Sequence, residues 1–279
     1  MTVVLLALAA SLAWGFADFG AGVAARRLQF FVVAAVSQAA GLAVVALVVL
    51  ASGADPPSAA QFAWAAGAGV VGLGGLAAFY TALAVGTMGI VGPITATGAM
   101  VPVAYGLARG ERPSLLQGVG VALAAAGVVA ASLEPVPDRR GPQIGKGVGL
   151  AAFAALMFGS SLIGLSKAAP GGAAWSVLTM RTAALPVLVI GLLVVRPRLP
   201  SSRRLWLLLA GVGVVDTGAT LLYSVATTKG LLSVVAVLAS LYPIVIVVLA
   251  RALLAERMSR PQLLGVAAAL AGVALVSAG

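Results

Sequence analysis

Apolar runs of about 20 residues follow one another along almost the whole of this 279-residue chain, with short polar gaps between them. A helix of that length crosses the hydrocarbon core of a bilayer, and it satisfies every backbone N–H and C=O without water. Only 9% of the residues are charged, against about 25% in soluble domains. The expected fold class is therefore an all-α polytopic membrane protein. Set against the charges and the Gly/Pro breaks, the runs predict ten transmembrane helices. They lie at 2–25, 29–51, 61–85, 88–108, 114–133, 147–168, 173–195, 205–228, 231–250 and 261–278. Met1 to Ala13 lack the basic segment of a secretory leader, so the first run is expected to remain as a helix. With neither Cys nor His, disulfides and His/Cys metal sites are excluded, and no metal or cofactor is expected.

The longest polar stretch contains Pro135, Pro137, Asp138, Arg139, Arg140 and Pro142. It divides the chain into a five-helix repeat at 1–133, a linker at 134–146 and a second repeat at 147–279. At a constant shift of 145, Glu111-Arg112 falls on Glu256-Arg257, Ser114 on Ser259 and Gln117 on Gln262. The same shift carries Gly120 onto Gly265 and Gly127-Val128 onto Gly272-Val273. Upstream, Gly15 falls on Gly159 and Tyr80 on Tyr223 at shifts of 144 and 143. Five spans per repeat is an odd number, so the halves must be inverted, an arrangement that places a substrate site near the midplane between them.

The net charge of +10 sits in the gaps between runs, as in cytoplasmic loops, and no nucleic-acid partner is expected. Twelve basic residues follow spans 1, 5, 7 and 9, whereas the opposite loops hold four. The expected location is the inner (plasma) membrane, with both termini outside.

The run Pro243, Glu256-Arg257-Met258-Ser259, Gln262, Gly265, Gly272, echoed by Glu111, Gln117, Gly120 and Gly127, resembles the repeat signature of the EamA-type family of the drug/metabolite transporter superfamily. The likeness covers essentially the whole chain. It implies a ten-helix transporter of small metabolites, frequently an exporter, with spans 1–4 and 6–9 around a central cavity. Gly98 stands where Pro243 would be matched, with Pro102 one turn later, so the bend of span 4 is expected to be displaced.

Ionisable groups at membrane depth mark functional sites by default. Asp216, Arg181 and Asp18 qualify. At 1.5 Å per residue, Arg181 and Asp216 lie roughly 12 and 17 Å below the outer face and Asp18 roughly 24 Å. The first two are expected to pair, directly or through substrate; snorkelling of Arg181 and local bonding of Asp216 are the alternatives. Thr220, Tyr223 and Thr227 continue one polar stripe from Asp216. Trp14, Gln38, Tyr80, Ser233 and Ser240 complete the candidate cavity, with helix–helix packing as the alternative for each. Pro93, Pro102, Pro186 and Pro243 are expected to interrupt their spans as hinges or static kinks. Glu111 and Glu256 read as local ion pairs with the adjacent arginines. The paired glycines read as packing or homodimer faces.

The expected partners are a small-molecule substrate and the lipid bilayer. Without a GxxxxGK[ST] loop, ATP is not the direct energy source, and coupling to protons through Asp216 or Asp18 stays open beside uncoupled facilitation. A non-transporting scaffold or receptor is the rival reading. A membrane-embedded enzyme is disfavoured, because no nucleophile–base pair or acidic metal cluster is evident.

Overall fold

The computed structural model describes residues 1–25, 28–85, 91, 94–131, 144–197, 199–200, 202–254 and 259–279. None of these is in a strand, residues 94–96 are helical, and eleven α-helices have both ends described. They are α1 (Thr2–Ala25), α2 (Phe30–Ser52), α3 (Ala59–Val85), α4 (Met100–Ala108), α5 (Leu115–Ala131), α6 (Ile144–Ala168), α7 (Ala173–Val195), α8 (Arg203–Thr227), α9 (Leu232–Ala239), α10 (Tyr242–Leu254) and α11 (Arg260–Ala278). Six helices are long and apolar enough to cross a membrane, and four apolar segments are shorter.

Local chemistry sets the helix ends. Ser114 N–H donates to Gln117 Oε1 at 3.0 Å, and Gln117 N–H donates back to Ser114 Oγ at 3.1 Å. This capping box opens α5, and Ser259 with Gln262 builds the same box at the start of α11. The repeated Ser and Gln are thus helix starts. At the other ends, α2 and α7 close on left-handed residues at corresponding positions, Gly53 (φ 58) and Arg196 (φ 45).

The predicted ninth span is broken. The α9 helix stops at Ala239, and α10 begins at Tyr242 with Pro243 in its first turn, where a missing N–H costs nothing. The fourth span breaks at the matching place, in a 3₁₀ turn over Thr97–Ala99, with Pro102 in the first turn of α4. The bend is therefore not displaced: Gly98 marks it without a proline, and Pro102 starts a helix rather than bending one. Pro186 lies inside α7, which runs on through it from Ala173 to Val195.

The two halves interlock. Helices of one repeat pack chiefly on helices of the other: α3 on α6 and, symmetrically, α8 on α1; α2 on α8 and α7 on α3; α4 on α9; α5 on α11. The exchange is that of a pseudo-two-fold axis. Gly69 lies against the Met180 carbonyl as Gly213 lies against that of Ser37, with no room for a Cβ at either glycine. Gly15 meets Tyr242 O and Val245, while Gly159 meets Gly98 O and Val101. Every pair on α1, α3, α6 and α8 obeys one shift of 144. Gly120 and Gly127 of α5 pack against Gly272 and Gly265 of α11, so these glycines serve packing within the chain.

Candidate functional site

Arg181 sits on α7, 4% exposed, where α2, α7 and α8 converge. Its Nη2 donates to Asp216 Oδ2 at 2.6 Å, and its Nη1 donates to Gln38 Oε1. The Arg181–Asp216 pairing expected from depth alone is direct. Room for the guanidinium comes from Gly41, one turn beyond Gln38, where a Cβ would stand 3.0 Å from Nη1 and collide with Thr217 Oγ1. Ser37 and Met180 are equivalent crossing points, so their neighbours Gln38 and Arg181 correspond. The bond between them straddles the pseudo-axis and ties one repeat to the other.

A buried charge left unmatched is strongly destabilising, and Asp216 supplies the match. The Asp216 side chain keeps 34% of its surface accessible, so one partner is locked in protein while the other borders open space. Arg181 Nε has no hydrogen-bond partner.

A second group adjoins this one on α1. The Trp14 ring lies 5.6 Å from that of Tyr223 and 6.5 Å from that of Tyr242. Asp18, one turn further along α1, is exposed and lies within electrostatic range of both Asp216 and Tyr242. Tyr223 is fully buried and donates to the Leu162 carbonyl of α6 at 3.3 Å, forming a back wall for Trp14. Gly41, Thr217 and Tyr242 belong to the site but escape the sequence reading. Only Tyr242 carried a signal, as an aromatic beside the proline that opens α10.

Other candidates turn inward without converging. The hydroxyl of Thr220 donates to the Asp216 carbonyl at 2.8 Å, that of Thr227 to Ser224 O at 2.8 Å, and that of Ser240 to Ala236 O at 2.6 Å. Each satisfies its own helix. Ser233 is buried and its hydroxyl is unpartnered. The Tyr80 side chain, Pro93 and Glu256 lie outside the described residues.

Glu111 departs from the local ion pair expected of it. Its Oε1 and Oε2 accept from the backbone N–H groups of Leu232 and Ser233 at 2.8 and 3.0 Å, capping the buried first turn of α9 in the other repeat. A carboxylate beside free N–H groups and the positive end of a helix dipole outcompetes a solvated arginine. Two shallow grooves, of about 450 and 370 Å³, lie at Thr97–Met100–Leu156 and Phe62–Trp175–Thr182, and neither includes Arg181 or Asp216.

Interlocked bundles of apolar helices, with Arg181 buried between Gln38 of one repeat and Asp216 of the other, define a multi-pass membrane protein of the transporter type. The chain belongs to the EamA-like transporter family, whose model matches residues 1–133 and again 145–278. This is a family of transporters, not of enzymes. A solved crystal structure shares the fold at a TM-score of 0.82 and 18% identity, covering 99% of this chain and 96% of that one. No curated protein matches the chain significantly.

Proposed function

We propose that the protein exports a small organic molecule by alternating access between inverted five-helix repeats, 1–133 and 147–279, joined by the 134–146 linker. In this reading all ten spans cross the inner membrane, both termini lie outside, and the rocking halves pivot about the Arg181 node. The carrying observation is that node itself. Arg181 binds Gln38 of one half and Asp216 of the other in the seam, where a change in relative tilt must lengthen one bond before the other. Asp216, partly accessible, is the group that substrate or a proton can reach.

Proteoliposome flux normalised to monodisperse protein tests this. Asp216→Asn and Arg181→Gln should each abolish uptake of a cargo that the unaltered protein moves, and full activity in both overturns the assignment. An internal pH dye in the same vesicles separates proton exchange from facilitation.

A further inference from the structure

We propose that the open face of α1 beside Asp18 binds a monovalent organic cation, whose charge lies between the Asp18 carboxylate and the rings of Trp14 and Tyr242. The proposal rests on the transporter reading of the same seam and gives its cargo a chemical class. Asp18 lies within electrostatic range of Asp216, which Arg181 holds. The charge of Arg181 is matched by Asp216. Asp18 lies in the field of Asp216, which repels it, and no hydrogen bond or ion pair reaches it among the described residues. When ionised, its carboxylate has no partner in a place where an uncompensated charge is costly.

Aromatic faces choose the kind of cation. Trp14 and Tyr242 are half-buried, so part of each ring is accessible, and Tyr223 holds Trp14 from behind. A ring face attracts a weakly hydrated ammonium, whereas a metal cation requires several oxygen ligands. Asp18 is exposed, and the face stays open past it: at Gly22, one turn further, a Cβ would meet nothing within 4 Å. Ser11, two turns before Asp18 on the same face, holds a hydroxyl that is 2% exposed and has no partner.

The mirror positions set Asp18 and Tyr242 apart from what the fold repeats. At the shift of 144, Trp14, Tyr223, Asp18 and Tyr242 correspond to Phe158, Phe79, Leu162 and Gly98. The Phe79–Phe158 pair reproduces the Trp14–Tyr223 contact at 6.3 Å. Leu162 and Gly98 stand where Asp18 and Tyr242 would be matched, so the fold repeats the ring pair without repeating the acid or the tyrosine.

Calorimetric titration of the full-length protein in detergent tests the proposal with benzyltrimethylammonium, its uncharged isostere neopentylbenzene, and benzoate. The cation should bind at least tenfold more tightly than the isostere, and benzoate should not compete. Asp18→Asn should weaken the cation about tenfold or more. Trp14→Leu should weaken it about 2- to 30-fold, while the mirror variant Phe158→Leu leaves it unchanged. Equal affinity for cation and isostere in the unaltered protein overturns the proposal without any variant having to fold, as does wild-type affinity in a folded Asp18→Asn. Should these probes fail while flux of another cargo still needs Arg181 and Asp216, the cation assignment falls and the transporter reading stands.

Discussion

The two sides of the pseudo-two-fold axis share one backbone plan and differ in chemistry. On one side stand Trp14, Asp18, Asp216, Tyr223 and Tyr242; at the matching positions of the other stand Phe158, Leu162, Gly72, Phe79 and Gly98. Aromatic pairs occur at the same place on both sides, 5.6 and 6.3 Å between ring centres. Glycines meet carbonyls at the same crossings. What the fold needs is therefore present twice, and what appears once is free to serve cargo. Even on the axis the symmetry is chemical only in part, because Gln38 and Arg181 face each other as unlike twins.

The largest effect should come from breaking the one-sided part, where transport as well as stability is at stake. Arg181→Ala leaves Asp216 without its cation, at a cost of about 1–3 kcal/mol, less than for a fully buried pair because the Asp216 side chain is 34% accessible. Thermal unfolding in detergent should show it as a marked drop. Arg181→Gln combined with Asp216→Asn replaces the ion pair by neutral hydrogen-bonding groups and should melt much nearer to the unaltered protein. If the double variant were as unstable as Arg181→Ala, the ion pair would be part of the scaffold and the division between repeated and unrepeated residues would fail.

Next comes the duplicated seam. A Cβ on Gly127 would stand 2.5 Å from Ala269 N, and one on Gly272 2.5 Å from Ala124 N. Gly127→Val and Gly272→Val should each cost about 3 kcal/mol, the upper end of overpacking, because backbone cannot step aside. The two losses should match. Gly118→Val, on the open face of α5, should change little.

Glu111→Ala removes two charge-assisted bonds to the start of α9 and should cost about 2 kcal/mol. A melt unchanged by the substitution would leave the arginine pairing as the role of Glu111 after all.

How much of this the sequence disclosed depends on the range of the interaction. Helix limits follow from unbroken apolar runs and were legible, whereas the Ser and Gln three residues apart at α5 and α11 showed only as a repeat, not as helix starts. The Arg181–Asp216 pair was legible because depth in a membrane is a single coordinate that residue counting supplies. Glu111 was misread because its partners lie 121 and 122 residues away, and a neighbour in sequence, Arg112, offered a simpler account. Pro186 sits within a continuous α7, where one missing hydrogen bond is tolerated in a membrane helix. Gly41 carried no signal at all, since its use is an empty volume that only the placed guanidinium reveals. The repeat register was blurred by one residue: the ring pairs set Phe79, not Tyr80, opposite Tyr223.

The smallest effect offers the cleanest comparison of the halves. Ser114→Ala and Ser259→Ala each delete the hydroxyl of a capping box at the start of α5 and α11, for about 1 kcal/mol apiece. These helices pack antiparallel along the glycine seam, Gly120 on Gly272 and Gly127 on Gly265, so the two starts lie at its opposite ends. The two single variants should lower the melting temperature equally, and the double variant should lose the sum. Independent boxes require additivity, because each hydroxyl serves only its own first turn. A double variant that loses much less than the sum would mean that the two starts fray together, and that the repeats are joined at their last helices more tightly than at the Arg181 node.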